Sequence, residues 1–184
     1  MMLKALLGRQ IGKMERRWGY DASYLRHVLA ANPGSLLRFG LVGSMVDAKA
    51  APAAAIAAAK LVGTLAEDCG PCTQIVVDMA AAEGVAPQVL RALLAGDEAA
   101  MGEEAALAWR FARASLARDM AAADPLRDEI VRRWGDQGLV ALGLALTSAR
   151  MYPTLKYALG YGKTCSKVTV EGQAAPVAHA PLAA

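Results

Sequence analysis

Aromatic side chains are scarce in this chain, at 5% of residues, although hydrophobic residues make up 55% of its 184 positions. Long runs of Val, Ile and Thr are missing too, and no stretch alternates polar and apolar residues over enough positions for a half-buried strand. A β-sandwich or a parallel sheet is therefore excluded on pattern. Uninterrupted apolar runs are equally lacking. Ala50 to Leu65 is broken by Pro52 and Lys60, and Leu139 to Leu146 falls far short of the ~20 residues that a membrane span requires. No glycine-rich phosphate cradle occurs, since Gly40, Gly43 and Gly63 form no recognised loop, and nothing points to a bound nucleotide. A net charge of +3 is too small to argue for a nucleic-acid partner. The chain has only three cysteines and two histidines, few ligands for a metal.

What remains is alanine, the strongest helix former because its methyl group loses no rotamer freedom. The fold expected is all-α, a single helical domain over 1–168 with a mobile tail at 169–184, where large side chains become rare. Helices are expected at 2–17, 21–31, 34–46, 52–67, 70–83, 86–95, 103–120, 124–134 and 136–160. Asp21 is placed to cap the second. Gly84 can end the fifth in the left-handed conformation, and Asp124-Pro125 reads as a helix start. Gly135 separates two helices, and Pro153 is expected to kink or break the last. Alanine buries little area, so helices this rich in it are expected to complete their core in a homo-oligomer. Met45, Met79, Met101, Met120 and Met151 are assigned to gaps in the core, and Trp18, Trp109 and Trp134 to helix packing.

The first helix is amphipathic, with Lys4, Arg9, Lys13, Arg16 and Arg17 set among Met2, Leu3, Leu6, Leu7 and Ile11. Packing on the body of the protein is its expected role. No export signal is recognisable, and the cytoplasm is the expected compartment. There, a close cysteine pair points to catalysis or metal binding rather than to a structural staple.

Such a pair is present in Cys69-Gly70-Pro71-Cys72. The four letters match a thioredoxin site, but the preceding AAPAAAIAAAKLVGTLAED reads as helix rather than strand, and no tryptophan immediately precedes Cys69. At the start of a helix, cysteines at i and i+3 share a face and lie within disulfide reach. Free N–H groups at that end lower a thiol pKa, whereas the carboxylates of Glu67 and Asp68 oppose this. A zinc site would require Cys69, Cys72, Cys165 and His27 to converge from distant segments, and no metal is expected. Cys165 reads as a free thiol, or as one half of an intersubunit or regulatory disulfide. His27 reads as a surface or partly buried residue.

From Ala53 to Leu159, the order of "CGPC", "TQIVVDMAAAEGV", "VLRALLAGD", "EEAALAWRFARASLARD" and "IVRRWGDQGLVALGLALTSARMYPTLKYALG" resembles the carboxymuconolactone decarboxylase superfamily, in its alkylhydroperoxidase D-like branch. The resemblance implies an all-α fold assembling into dimers, trimers or hexamers; no cofactor is expected. It also implies a redox-active cysteine pair that reduces a hydroperoxide or exchanges electrons with a thiol or dithiol donor. Cys72 would be the attacking thiol and Cys69 the resolving one. The branch places a histidine four residues after the second cysteine and a glutamate about twelve before the first, as a proton relay. Val76 and Ala57 occupy those positions here, and neither can move a proton. Glu67 is the first replacement base on this reading, with Gln74 and Lys60 as further polar candidates. The alternative is a non-catalytic or redox-sensing oligomer that has lost the relay.

Overall fold

A computed structural model describes residues 2–162 and 167–178, and its architecture is helical: α1 Met2–Trp18, α2 Ser23–Ala31, α3 Pro33–Gly40, α4 Ala53–Ala66, α5 Gly70–Ala82, α6 Pro87–Ala95, α7 Glu103–Ala117 and α8 Met120–Ala158. A 3₁₀ turn, Val42–Ser44, follows α3, so the expected 34–46 helix ends early. The all-α expectation holds, with one small antiparallel hairpin, β1 Thr169–Val170 and β2 Gln173–Ala174, added to it.

Helix α4 is the axis of the core, packed against α5, α7 and α8. Its alanines at 55, 57, 58 and 59 are buried along with Ile56, Leu61, Val62 and Leu65, so the helix is enclosed nearly all round. Small side chains make this possible, because they let neighbouring backbones approach closely. The tightest approach is at Gly63, where a Cβ would lie 2.8 Å from the Leu146 carbonyl oxygen of α8. A second cluster, Leu7, Ile11, Tyr20, Tyr24, Leu25, Leu29 and Leu36, joins α1, α2 and α3. The amphipathic α1 thus packs on the body, through Leu7 and Ile11.

Several helix ends differ from expectation for identifiable reasons. Asp21 lies one position outside the cap of α2 and accepts from the Ser23 N–H at 3.0 Å. The last long helix starts at Met120, not after Asp124. Arg118 turns left-handed (φ 57°), and the Asp119 side chain then accepts from the Ala122 N–H at 3.0 Å. Asp124 instead pairs with Arg127 within the helix. Gly135 does separate two helical stretches, at φ 69°. Pro153 does not end the second of them, which continues to Ala158. Its ring is buried, and packing compensates for the hydrogen bond that proline cannot donate. Gly84 closes α5 as expected (φ 89°), with the Val85 N–H reaching back to Ala80 O at 3.0 Å. Of the five methionines assigned to the core, only Met101 is fully buried; Met45, Met79, Met120 and Met151 are exposed.

The expected mobile tail is the largest difference. Over 168–178 the chain is docked: Val168 and Val170 are buried, and Ala178 N–H donates to Leu94 O at 2.7 Å. The anchor is Gln74, whose side-chain amide pairs with Thr169 like a neighbouring strand. It donates to Thr169 O at 3.1 Å and accepts from Thr169 N–H at 2.7 Å. Arg91 adds a bond to Val170 O at 3.3 Å. Two valines and one amide pairing thus hold a segment whose composition alone reads as unstructured. Cys165, His179 and the last residues of the expected tail lie outside the described residues.

Candidate functional site

The α4–α5 hairpin builds the cysteine site. After α4, Glu67 and Asp68 make the turn, with Asp68 left-handed at φ 47°, a conformation that aspartate tolerates better than most residues. Its carbonyl is held by the Tyr157 hydroxyl at 2.9 Å. Cys69 is then the N-cap of α5, with its carbonyl accepting from the Thr73 N–H at 2.9 Å and the Thr73 hydroxyl at 3.1 Å. The N-cap position of α5 is Cys69 itself, one residue after Asp68. Pro71 falls in the first turn, where its missing N–H is of little consequence. Cys69 and Cys72 are joined by a disulfide, with their Cα atoms 5.3 Å apart, and both are buried.

The two sulfurs differ in what surrounds them. Cys72 lines a cavity of about 210 Å³ between the two hydrophobic clusters; Cys69 is not among its lining residues. Ile75, Val76 and Met79 continue the Cys72 face of α5 along the same wall, so the stripe legible in the sequence is a cavity lining. Opposite are Trp18, Tyr20 and Tyr24, with Tyr152 of α8. The lining is mostly apolar, interrupted by Lys60, Thr64 and Ser148. Hairpin formation thus brings Lys60 to the wall that holds Cys72.

Of the sequence-predicted site residues, Cys69 and Cys72 are brought together and Glu67 is turned away to another role. Its carboxylate is gripped by Arg150 of α8, with Nε at 2.6 Å and Nη2 at 2.5 Å from Oε1, and receives the Thr154 hydroxyl at 3.4 Å. It does not line the cavity. Gln74 is likewise committed, to Thr169 and to Asp78. Val76 lies in the cavity wall and Ala57 is buried in α4, so both relay positions are apolar in place.

Two residues that the sequence reading missed stand beside Cys72. The Tyr20 hydroxyl lies 4.0 Å from Cys72 Sγ. A disulfide sulfur carries no hydrogen, so the hydroxyl is the donor. The Tyr20 oxygen in turn accepts from Lys156 Nζ at 3.3 Å. Lys156 is 3% exposed, and its ammonium lies 4.7 Å from the Tyr20 ring centroid and 5.4 Å from that of Tyr24. Burial pushes the Tyr20 hydroxyl up to about 12, against an opposing hydrogen bond from Tyr24. Burial and then the charge of Tyr20 push Tyr24 upward as well, and burial raises Tyr152. These phenols are therefore neutral donors at physiological pH. No spacing links Tyr20 or Lys156 to the cysteines. The only available signal was that Lys156 is the sole charge between Arg150 and Lys163.

Among the described residues, no group of three or more His, Cys, Asp or Glu side chains could hold a metal, and no helix is long and apolar enough to cross a membrane. His27 is exposed and pairs with the Tyr161 hydroxyl at 3.3 Å. Compared with protein-family models, curated proteins and solved structures, the chain matches none.

Proposed function

We propose that this chain is a dithiol oxidoreductase of the alkylhydroperoxidase D-like kind, reducing a hydroperoxide or a disulfide through Cys69 and Cys72. The observation that carries the reading is the placement of Cys72 in the wall of a largely apolar cavity while bonded to Cys69 at a helix start. In the reduced protein, the Cys72 thiolate attacks the distal oxygen of an organic hydroperoxide. The S–O bond forms, the O–O bond breaks, and the alkoxide takes a proton to leave as an alcohol. Cys69 then attacks the Cys72 sulfenic acid, forming the disulfide and releasing water. The pair has lost two protons and two electrons, which a thiol or dithiol donor restores by exchange.

Exposed apolar side chains support assembly into a homo-oligomer: Leu3 and Leu6 on α1, Leu37 and Leu41 near α3, and Val140 on α8. The family resemblance gives a dimer, trimer or hexamer, and the cytoplasm is the compartment proposed. The second reading, a redox-sensing or non-catalytic protein, is favoured by Val76 and Ala57 at the relay positions together with the engagement of Glu67 by Arg150.

The test is to reduce the protein, remove the reductant, add one equivalent of an organic hydroperoxide and follow intact and peptide masses. Rapid loss of two hydrogens, mapped to a Cys69–Cys72 crosslink, is the expected result. Thiols that stay reduced over many minutes, or oxidation only at Cys165, would sink the peroxidase reading.

A further inference from the structure

We infer that Tyr20 is a catalytic residue of the cysteine pair, donating a hydrogen bond to the Cys72 sulfur when it carries negative charge, and that Lys156 is the positioning residue that holds and polarises the Tyr20 hydroxyl. This rests on the dithiol reading above, but it concerns which groups set the thiolate and not which substrate is reduced.

The argument starts from a missing component. A buried thiol in apolar surroundings is a poor nucleophile and a poor leaving group, because its thiolate loses the solvation that water would give. Among the described residues, Glu67 is held by Arg150 and His27 is occupied at the surface. The polar atoms beside the sulfur come from outside the region of resemblance at one end and from near its close at the other. Tyr20 sits in the connection between α1 and α2, and Lys156 near the end of α8. They meet at 3.3 Å, 136 residues apart in sequence, with Tyr20 Oη 4.0 Å from Cys72 Sγ. The order is cation, hydroxyl, sulfur.

The charged and titratable groups facing this point among the described residues enter the balance, beginning with Asp21, whose negative charge acts on the Tyr20 hydroxyl beside it. From α2 comes Tyr24, and from α8 Tyr152, both neutral. From α4 comes Lys60, at the cavity wall, and from the preceding turn Glu67, paired with Arg150, and Asp68. On α5 itself, Asp78 is bonded to Gln74. Lys156 is the buried cation of this set, and its positive charge favours a thiolate over a thiol.

The device acts in both directions of the cycle. When a donor thiolate attacks Cys69 Sγ, a new S–S bond forms there and the Cys69–Cys72 bond breaks. Its electron pair leaves on Cys72 Sγ, where the Tyr20 O–H stabilises it. The donor's second thiol, as thiolate, then attacks the donor sulfur of the mixed disulfide and releases Cys69. The protein ends as dithiol and the donor as disulfide. In the oxidising direction, the same hydrogen bond keeps Cys72 ionised for attack. Tyr20 remains a hydroxyl throughout, because its burial holds it well above the thiol range.

The test measures the Cys72 thiolate without any hydroperoxide. The reduced protein and its Tyr20→Phe, Lys156→Met and Lys156→Arg variants are alkylated with iodoacetamide across pH, and each cysteine is scored by peptide mass. Tyr20→Phe is expected to raise the Cys72 midpoint by about one pH unit, an alkylation rate about tenfold lower below the midpoint. Lys156→Met should shift it the same way and Lys156→Arg should largely restore it, whereas a merely structural lysine would move the melting temperature and leave the profile in place. Equilibration with glutathione at about pH 9 gives a second readout that does not depend on reagent access, with the reduced fraction of the pair falling up to about tenfold in Tyr20→Phe. Alkylation profiles, or glutathione equilibria where the thiol is closed to reagent, that superimpose for wild type, Tyr20→Phe and Lys156→Met would overturn the inference. A shift in Tyr20→Phe with no hydroperoxide oxidation of wild type would remove the peroxidase reading while leaving this one standing.

Discussion

Arg150 and Glu67 form a two-pronged ion pair across 83 residues, tying the end of α4 to α8 directly beside the cysteine turn. The carboxylate nearest the motif is thereby a fastener of that turn. Thr154 and Tyr157, one helical turn and two turns further along α8, add bonds to Glu67 and to the Asp68 carbonyl.

Glu67→Gln follows directly from this geometry. The pair is only partly buried, so its loss should lower stability by about 1 kcal/mol, a fall of roughly 2–4 °C in melting temperature for a chain of this size. The Cys72 alkylation profile should stay close to wild type, because Glu67 is engaged away from the cavity. A profile shifted as strongly as that of Tyr20→Phe would return Glu67 to the role of base.

Glycine substitutions on facing helices should give opposite signs. Gly63→Ala puts a methyl group against the Leu146 carbonyl and should destabilise by about 1–3 kcal/mol. Gly143→Ala, where nothing lies within 4 Å of the added carbon, should be neutral or stabilising by up to about 1 kcal/mol, through helix propensity. Urea denaturation of the two variants checks this, and equal effects would refute the close α4–α8 crossing.

Gln74→Ala removes the strand-like pairing with Thr169 and should release the hairpin without unfolding the helices. Hydrogen exchange at the Thr169 amide should accelerate by about one to two powers of ten, in line with one or two lost hydrogen bonds, while amides of α4 keep their protection. Unchanged exchange at Thr169 would mean that Val168 and Val170 hold the segment unaided.

Alkaline pH should destabilise the fold through Tyr20 and Tyr24. Their hydroxyls ionise near 10 when unfolded and are raised in the folded chain, Tyr20 to about 12. Between those values the native state binds more protons than the unfolded one, so stability is fully present below about pH 10 and is lost as pH rises through 12. For Tyr20 the loss is on the order of 2 kcal/mol. Denaturant midpoints at about pH 8 and about pH 11 should diverge in wild type and diverge less in a Tyr20→Phe, Tyr24→Phe double variant, where Tyr152 and Tyr157 still contribute.

The sequence by itself determined the helical class, most helix positions and the pairing of Cys69 with Cys72, since propensity, glycine stops and an i, i+3 spacing are local properties. It also carried the Ile75–Val76–Met79 stripe, although not that the stripe lines a cavity. Helix starts at Met120 rather than Pro125 were harder, because Asp119 and Asp124 are both good caps and only the turn at Arg118 chooses between them. The tail at 168–178 was illegible because a handful of contacts, Gln74 to Thr169 above all, outweigh its weak composition. Tertiary structure alone decided the site. A carboxylate adjacent in sequence to the cysteines is drawn off by Arg150, and a tyrosine and a lysine from opposite ends of the chain are delivered to Cys72. The reason is physical: a charge or hydrogen bond acts over a few ångströms of space, and which side chains share those ångströms is settled by how the helices pack.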